Sequence, residues 1–299
     1  MKKIFFLFSL AINLFHSART GIESNLSPTR KPIESVWLRS KDQFRAFFDK
    51  IKRGTEPGAN EEDAAYLEAV KKIKLLKCFD LKVGKLPKEI GELSSLQILL
   101  AGGNELTEIP KEVFQLTTLT WLTLRENNLT SLPRDIGNLA QLEKLELYSN
   151  KLDVLPDEIG KLGKLGVFTV NGNKLTTLPT TIDGLTSLEE LLVCSNQLEW
   201  LPPQIGGLPK LKKLMLNKNY LKAVPFEIGN LSTLEVLYIQ DNKLTALPPT
   251  IQGLSSLQRM YLTGNPNLAL PPEAAMIPNL RKQEIDESTL KIFNSSKEG

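Results

Sequence analysis

The chain has 299 residues, 41% apolar and 24% charged, the balance of a globular protein and not of a disordered or fibrous one. Its formal charge of +3 is too small to favour nucleic acid or an anionic membrane as a partner. Loss of Lys2 and Lys3 with a leader would take the basic residues from 37 to 35, against 34 acidic ones.

In chain order, the leader comes first. MKKIFFLFSLAINLFHSA has two lysines and then the apolar run from Ile4 to Phe15. A run of that length falls short of the roughly 20 residues of a membrane helix but suits a signal-peptide core. The expectation is a signal peptide over 1–18, cleaved after Ala18, and export to the periplasm or the cell exterior, with no membrane span in the mature chain. His16 departs from the pattern, because it stands where a small residue is preferred. The alternatives are an uncleaved amphiphilic start and, should the segment not be a leader, a cytoplasmic protein. Residues 19–33 read as a disordered linker.

Residues 34–72 are expected to form a helical cap. In ESVWLRSKDQFRAFFDKIKR, the apolar residues Trp37, Leu38, Phe44, Phe47, Phe48 and Ile51 fall at helical spacing. RGTEPGAN reads as a turn. Asn60 is placed to cap a second helix from Glu61 to about Lys72, with Leu67, Val70 and Ile73 inward. The pair would cover Cys78 and Leu81. The alternative is a separate recognition domain, although aromatic helix faces are more often core.

From Ile73 to Asn279 the sequence repeats every 23 residues. Leu96, Leu119, Leu142, Leu165, Leu188, Leu211, Leu234 and Leu257 form one column. Eight residues on in each unit stand Asn104, Asn127, Asn150, Asn173, Asn196, Asn219, Asn242 and Asn265. A proline column follows, from Pro110 to Pro271. A weaker first unit, from Ile73, carries Leu81 at the Asn position, which makes nine units over 73–279. The stretch LTLRENNLTSLPRDIGNL, from Leu122 to Leu139, shows the logic. Leu122 and Leu124 alternate, so they face one side of a short strand. A buried Asn127 amide can satisfy backbone groups where the chain turns, and stacked units would make these amides a ladder. Pro133 opens the return segment with φ fixed. Ile136 and Leu139 point back to the core, and Gly137 would allow a tight bend. One unit cannot bury its own apolar face; stacked units can. The last unit, GNPNLALPPEAAMIPNL, shifts its leucine to Leu268. Residues 280–299 are expected to form a C-terminal cap and tail, closed by Leu280, Ile285 and Phe293.

The pattern LxxLxLxxNxLxxLPxxIGxLxx resembles the leucine-rich repeat, in its 23-residue bacterial and Ras-group form. It spans about two thirds of the chain. The resemblance implies an α/β fold: a right-handed solenoid or horseshoe with a parallel sheet on its concave side, here with an N-terminal helical cap. It also implies a binding scaffold whose ligand is a protein held on the concave face; a bacterial source and a host-directed partner are the accompanying expectations.

Alternation maps that face. Outward strand positions run from Ile98 and Leu100 to Arg259, Tyr261 and Thr263, and include Thr123 and Thr169. Two groups stand out as partner-binding residues, of the types enriched at hot spots. The first is Trp121, Arg125 and Tyr148. The second is the row Leu192, Met215, Tyr238 and Tyr261, with Val236 and Arg259 beside it.

Little points to catalysis, cofactors or metals. The sole histidine, His16, lies in the leader, so the mature chain has none for a Ser-His-Asp or Cys-His mechanism. HExxH, CxxC and GxxxxGK[ST] are missing. Cys78 falls in a core column and Cys194 in an outward one, about 24 Å apart at a strand spacing of roughly 4.8 Å. A disulfide needs Cα atoms within about 7 Å, so they do not pair. The sequence therefore predicts an exported, non-enzymatic scaffold without cofactor or metal. The alternatives are an intracellular signalling scaffold like the Ras-group proteins and an enzyme working through carboxylates such as Glu189 and Glu190. Oligomeric state is open.

Overall fold

Among the described residues, ten three-residue strands lie side by side in sequence order, all parallel, in one sheet. The computed structural model describes residues 34–278. The expected leader over 1–18, the linker over 19–33 and the closure by Leu280, Ile285 and Phe293 lie outside the described residues.

The strands are β1 (Ser35–Trp37), β2 (Leu75–Lys77), β3 (Ile98–Leu100), β4 (Trp121–Thr123), β5 (Lys144–Glu146), β6 (Val167–Thr169), β7 (Glu190–Leu192), β8 (Lys213–Met215), β9 (Val236–Tyr238) and β10 (Arg259–Tyr261). From β2 onward, partners in adjacent strands are 23 positions apart: Leu122 pairs with Leu145, Leu145 with Phe168, and Leu214 with Leu237. The middle residue of every strand faces inward and is buried. Alternation dictates this: a strand with one inward residue presents its two neighbours to the other face.

After each strand the chain turns at the asparagine, runs back, and makes a short 3-10 turn after a proline. Pro133, at φ −62°, precedes the turn Arg134–Asn138, and Ile136 in that turn is fully buried. Nine such turns occur among the described residues. Their apolar residues and the inward strand residues merge into a single core along the solenoid.

The asparagines are at most 8% exposed. Asn150 is typical. Its Nδ2 donates to Leu147 O in its own coil at 3.0 Å and to Leu124 O in the preceding coil at 3.0 Å, while its Oδ1 accepts from Leu129 N at 3.0 Å. Three buried backbone groups that the strands leave over are thereby satisfied. Where Leu81 replaces the asparagine, its own N–H donates to Asn104 Oδ1 at 3.1 Å.

The conserved spacing of glycines has a different cause from the one the sequence suggests. Gly137 lies inside a 3-10 turn and is not at a positive φ. A Cβ on Gly229, in the same column, would stand 2.0 Å from Thr250 O in the next coil. On Gly160 it would stand 2.2 Å from Thr181 O. These glycines permit close approach of successive coils and do not make a bend. The left-handed position lies elsewhere, just before each asparagine, and is mostly filled by residues with side chains: Glu126 (φ 53°), Ser149 (55°), Ser195 (54°) and Lys218 (57°) among them.

At the N-terminal end, helices α1 (Lys41–Thr55) and α2 (Glu61–Val70) pack together over the first coils. Ser40 caps α1 by accepting from Gln43 N, and Asn60 caps α2 by accepting from Asp63 N at 2.8 Å. Phe44, Phe47, Phe48 and Ile51 are the buried face of α1. One expectation is corrected here. Trp37 and Leu38 are not on a helix: Ser35–Trp37 is β1, paired in parallel with β2. Ser40 starts the helix later, and the edge of β2 would otherwise expose unpaired N–H and C=O groups, which β1 covers. The helix also runs two residues past Arg53, so the turn begins at Glu56.

Candidate functional site

The outward face of the sheet carries every residue that the sequence singles out for binding. Register places Leu192 beside Met215, Met215 beside Tyr238, and Tyr238 beside Tyr261, one per strand across β7 to β10. The two tyrosine rings stack in parallel, centroids 4.6 Å apart and planes 4° from one another. Parallel strands about 4.8 Å apart impose this: identical side chains at one register position are held at stacking distance. Val236 and Arg259 pair in the adjacent column. All six side chains are half-buried.

The second group is only partly brought together. Arg125 donates to the Tyr148 hydroxyl, and its guanidinium lies 5.5 Å from that ring's centroid. Trp121 belongs to a different contact. Its indole N–H donates to Glu146 Oε2 at 3.3 Å, Lys144 Nζ sits 4.3 Å over its ring, and Lys144 pairs with Glu146 at 2.8 Å. The sequence reading also missed Phe79. Arg125 lies 5.0 Å over the Phe79 ring, and Lys77 lies 5.7 Å from it on another approach. Lys77 is further held 5.1 Å over Trp37. Phe79 stands 23 residues before Gly102, so extending the repeat register into the first unit would have found it. Burial, and then the charge of Arg39, hold the Lys77 ammonium below the usual lysine range. For Arg125, burial works downward but is outweighed by the Tyr148 hydrogen bond and nearby acids, so its affinity for the proton is raised.

Thr123 and Thr169 correct the map. Both occupy outward positions, yet they are 0% and 8% exposed, and neither hydroxyl has a hydrogen-bond partner in the protein. Short side chains flanked in register by Leu100, Glu146 and Leu192 are overtopped by their neighbours. Outward does not mean exposed here. Cys194 is half-buried in the outermost column and Cys78 is fully buried; both are free thiols. Burial pushes the Cys78 thiol up to about 12 and raises Cys194 to a lesser degree. Glu189 pairs with Lys212 at 2.9 Å and Glu190 approaches Lys213 at 3.8 Å, so each of these carboxylates faces its own lysine.

A family model described as a leucine-rich repeat region matches residues 55–151 and 118–204, and a leucine rich repeat model matches 206–266. The chain belongs to the leucine-rich repeat family. Among solved structures it is similar to the plant peptide hormone receptor RGFR1 in complex with RGF2, at 30% identity over 72% of this chain and 36% of the receptor, with a TM-score of 0.64. It is also similar to the leucine-rich repeat ectodomain of the receptor kinase GASSHO1/SCHENGEN3 from Arabidopsis thaliana, solved with CASPARIAN STRIP INTEGRITY FACTOR 2. There the identity is 31%, over 72% of this chain and 27% of the ectodomain, with a TM-score of 0.62. The chain thus spans about a third of these two ectodomains. The leucine-rich repeat domain of the type III effector XopL shares the fold, at 24% identity over 81% of this chain and 94% of that one, with a TM-score of 0.63. No curated protein matches the chain.

This leucine-rich repeat sheet offers recognition chemistry: stacked rings, a thioether, and cations seated on aromatic faces, on or just past the ends of short strands fixed by the core behind them. Among the described residues, no group of three His, Cys, Asp or Glu side chains is placed to hold a metal ion. No helix among them is long and apolar enough to cross a membrane.

Proposed function

We propose that the protein is an exported, non-enzymatic scaffold that binds a protein partner on its concave sheet, through Leu192, Met215, Tyr238 and Tyr261 with Val236 and Arg259 at their side. The observation that supports this is the in-register row ending in the stacked tyrosine pair. Its side chains stand on the outward face, half-exposed, while the inward residues carry the core. Contiguous apolar and aromatic surface on a rigid support is what interface hot spots are made of. That the two plant receptors are solved with their ligands bound favours a protein or peptide ligand. Trp121, Arg125, Tyr148 and Phe79 form the secondary contact region. The test uses immobilised full-length protein offered separately to host extracellular proteins and to proteins of the producing cell. Any retained partner is titrated against Tyr238→Ala. Affinity should fall by about tenfold to a hundredfold for the variant, in line with 1–3 kcal/mol at a hot spot. Wild-type affinity for every partner would move the site elsewhere.

A second reading, an intracellular scaffold like the Ras-group proteins, draws support from the two unpaired thiols, since exported proteins usually oxidise theirs. N-terminal sequencing of the protein from its native cell separates the two. A chain beginning at Arg19 supports export; one beginning at Met1 supports the intracellular reading.

A further inference from the structure

Away from the concave sheet, the flank where each coil runs back toward its proline changes character midway along the solenoid. At the position four residues after the asparagine, the first coils carry Glu108 and Ser131, whereas the following ones carry Val154, Thr177, Trp200, Ala223, Ala246 and Ala269, uncharged throughout, with Val154 55% exposed and Trp200 and the three alanines exposed as well. Three residues further on, Lys111, Arg134 and Asp157 give way to Pro203 and Phe226. Trp200 is 51% and Phe226 65% exposed, among the largest exposed apolar side chains of the described residues. Ala246 and Ala269 form a parallel bridge, so successive coils of this flank pair directly at that point. An uncharged band over successive coils, with two large rings, is not what a solvated convex surface requires.

The arrangement of large and small residues on this band is complementary to itself. The coil of Trp200 also carries Pro203 and Glu199; the next coil carries, at the same three positions, Ala223, Phe226 and Lys222. Glu199 and Lys222 sit at the rim, 3.9 Å apart within one chain, with side chains 61% and 71% exposed. A two-fold axis between these coils sets the coil of Trp200 in one copy against the coil of Ala223 in the other. Each tryptophan then meets the partner's Ala223, each Phe226 meets the partner's Pro203, and each Glu199 meets the partner's Lys222. Large meets small and acid meets base at every position, as an isologous interface demands.

We propose that this flank is the self-association surface of the protein: a second copy docks on it around a two-fold axis between the coils of Trp200 and Ala223, which leaves both concave faces open. At their observed exposure the two rings supply roughly 100–150 Å² each. With the alanines and prolines around them the patch falls below the roughly 800 Å² per partner of a standard interface, in the range of weak and transient contacts. The association is therefore a concentration-dependent monomer–dimer equilibrium and not an obligate dimer.

Sedimentation equilibrium of the full chain tests it. The wild type should show mass rising with concentration toward twice the monomer. Trp200→Glu should weaken association at least tenfold, with the far-UV circular dichroism spectrum and melting unchanged, because the side chain is exposed. The rim pair supplies the sharper arm. Glu199→Lys alone and Lys222→Glu alone should each weaken self-association, since like charges then face one another across the axis. An equimolar mixture of these two variants should regain it as a mixed dimer, because every cross-chain pair is again opposite in charge. A purely intramolecular pair predicts no regain on mixing. A wild type that stays monomeric to its solubility limit, a dimer indifferent to Trp200→Glu, or a mixture no more associated than its components would each overturn the proposal.

Discussion

A single amide, that of Asn150, engages three backbone groups belonging to its own coil and the one before it. Leucine at that position fits the apolar neighbours but strips all three of partners in a site closed to water. Asn150→Leu should cost about 1–3 kcal/mol, and Lys151→Ala, at the exposed next position, should be near neutral; urea unfolding of the two variants measures the difference. Gly229→Ala makes the complementary point. The added methyl would meet a backbone oxygen that cannot swing aside, so a loss of about 1–3 kcal/mol is expected from overpacking, against near neutrality for Ser195→Gly, where glycine suits the left-handed backbone already present. Thermal melts of both variants settle the contrast. The thiols report on burial. Less of Cys194 is thiolate at a given pH than of an ordinary cysteine, because burial raises its pKa. Its alkylation in the native protein should thus lag free cysteine near neutrality and climb through a higher pH range. Cys78, pushed up to about 12, should react only after denaturation. Two fast thiols in the native state would contradict the register.

At the scale of the element, Leu237 and Tyr238 are consecutive residues of β9 with opposite duties. Leu237 is 1% exposed and Tyr238 is half-buried on the other face. Leu237→Ala should cost roughly 2–5 kcal/mol by opening a cavity, while Tyr238→Ala should leave the melting temperature nearly unchanged. If both variants melt alike, the face assignment fails. Strand positions of this kind were legible in the sequence because period-two alternation and a strict 23-residue register leave one solution. What was not legible depended on neighbours that are distant in sequence. β1 stands outside the 23-residue register, 40 positions before its partner residues, and its identity as a strand comes from pairing with β2. The glycine column looks like a set of bends until the next coil's backbone is seen a little over 2 Å from where a Cβ would stand. Thr123 and Thr169 have outward register but are overtopped by longer neighbours, which alternation does not encode. Trp121 on β4 and Arg125 just past its end share one face, yet each is claimed by a different charged or aromatic partner. Trp200 and Phe226 lie on the return flank, where the repeat pattern leaves positions open and alternation marks no surface.

For the whole molecule, the constant offset of 23 from β2 to β10 means that no coil is structurally special except at the ends. Stability is then close to a sum over coils and their interfaces, and folding free energy grows with coil number. The end structures matter out of proportion to their size. Asn60→Ala, which removes the α2 cap, should cost about 1 kcal/mol in the first transition to unfold, read by hydrogen exchange as earlier opening of the helices than of the central strands.

The same constancy turns the sheet into a measuring scale. The Arg125–Tyr148 contact lies beside the fourth and fifth strands and the Tyr238–Tyr261 stack on the ninth and tenth, and the interval between them is a whole number of strand spacings. Excising residues 165–187, one full period, rejoins equivalent backbone positions and should leave every type of contact intact, while bringing the two groups closer by one graduation of about 4.8 Å. A ligand that grips both groups would feel that as a mismatch in length and dissociate faster. A ligand that grips one of them would not register the change at all. Coil number is thus a quantity that evolution, or a protein engineer, can vary in fixed increments to select partners by their span without redesigning a single contact.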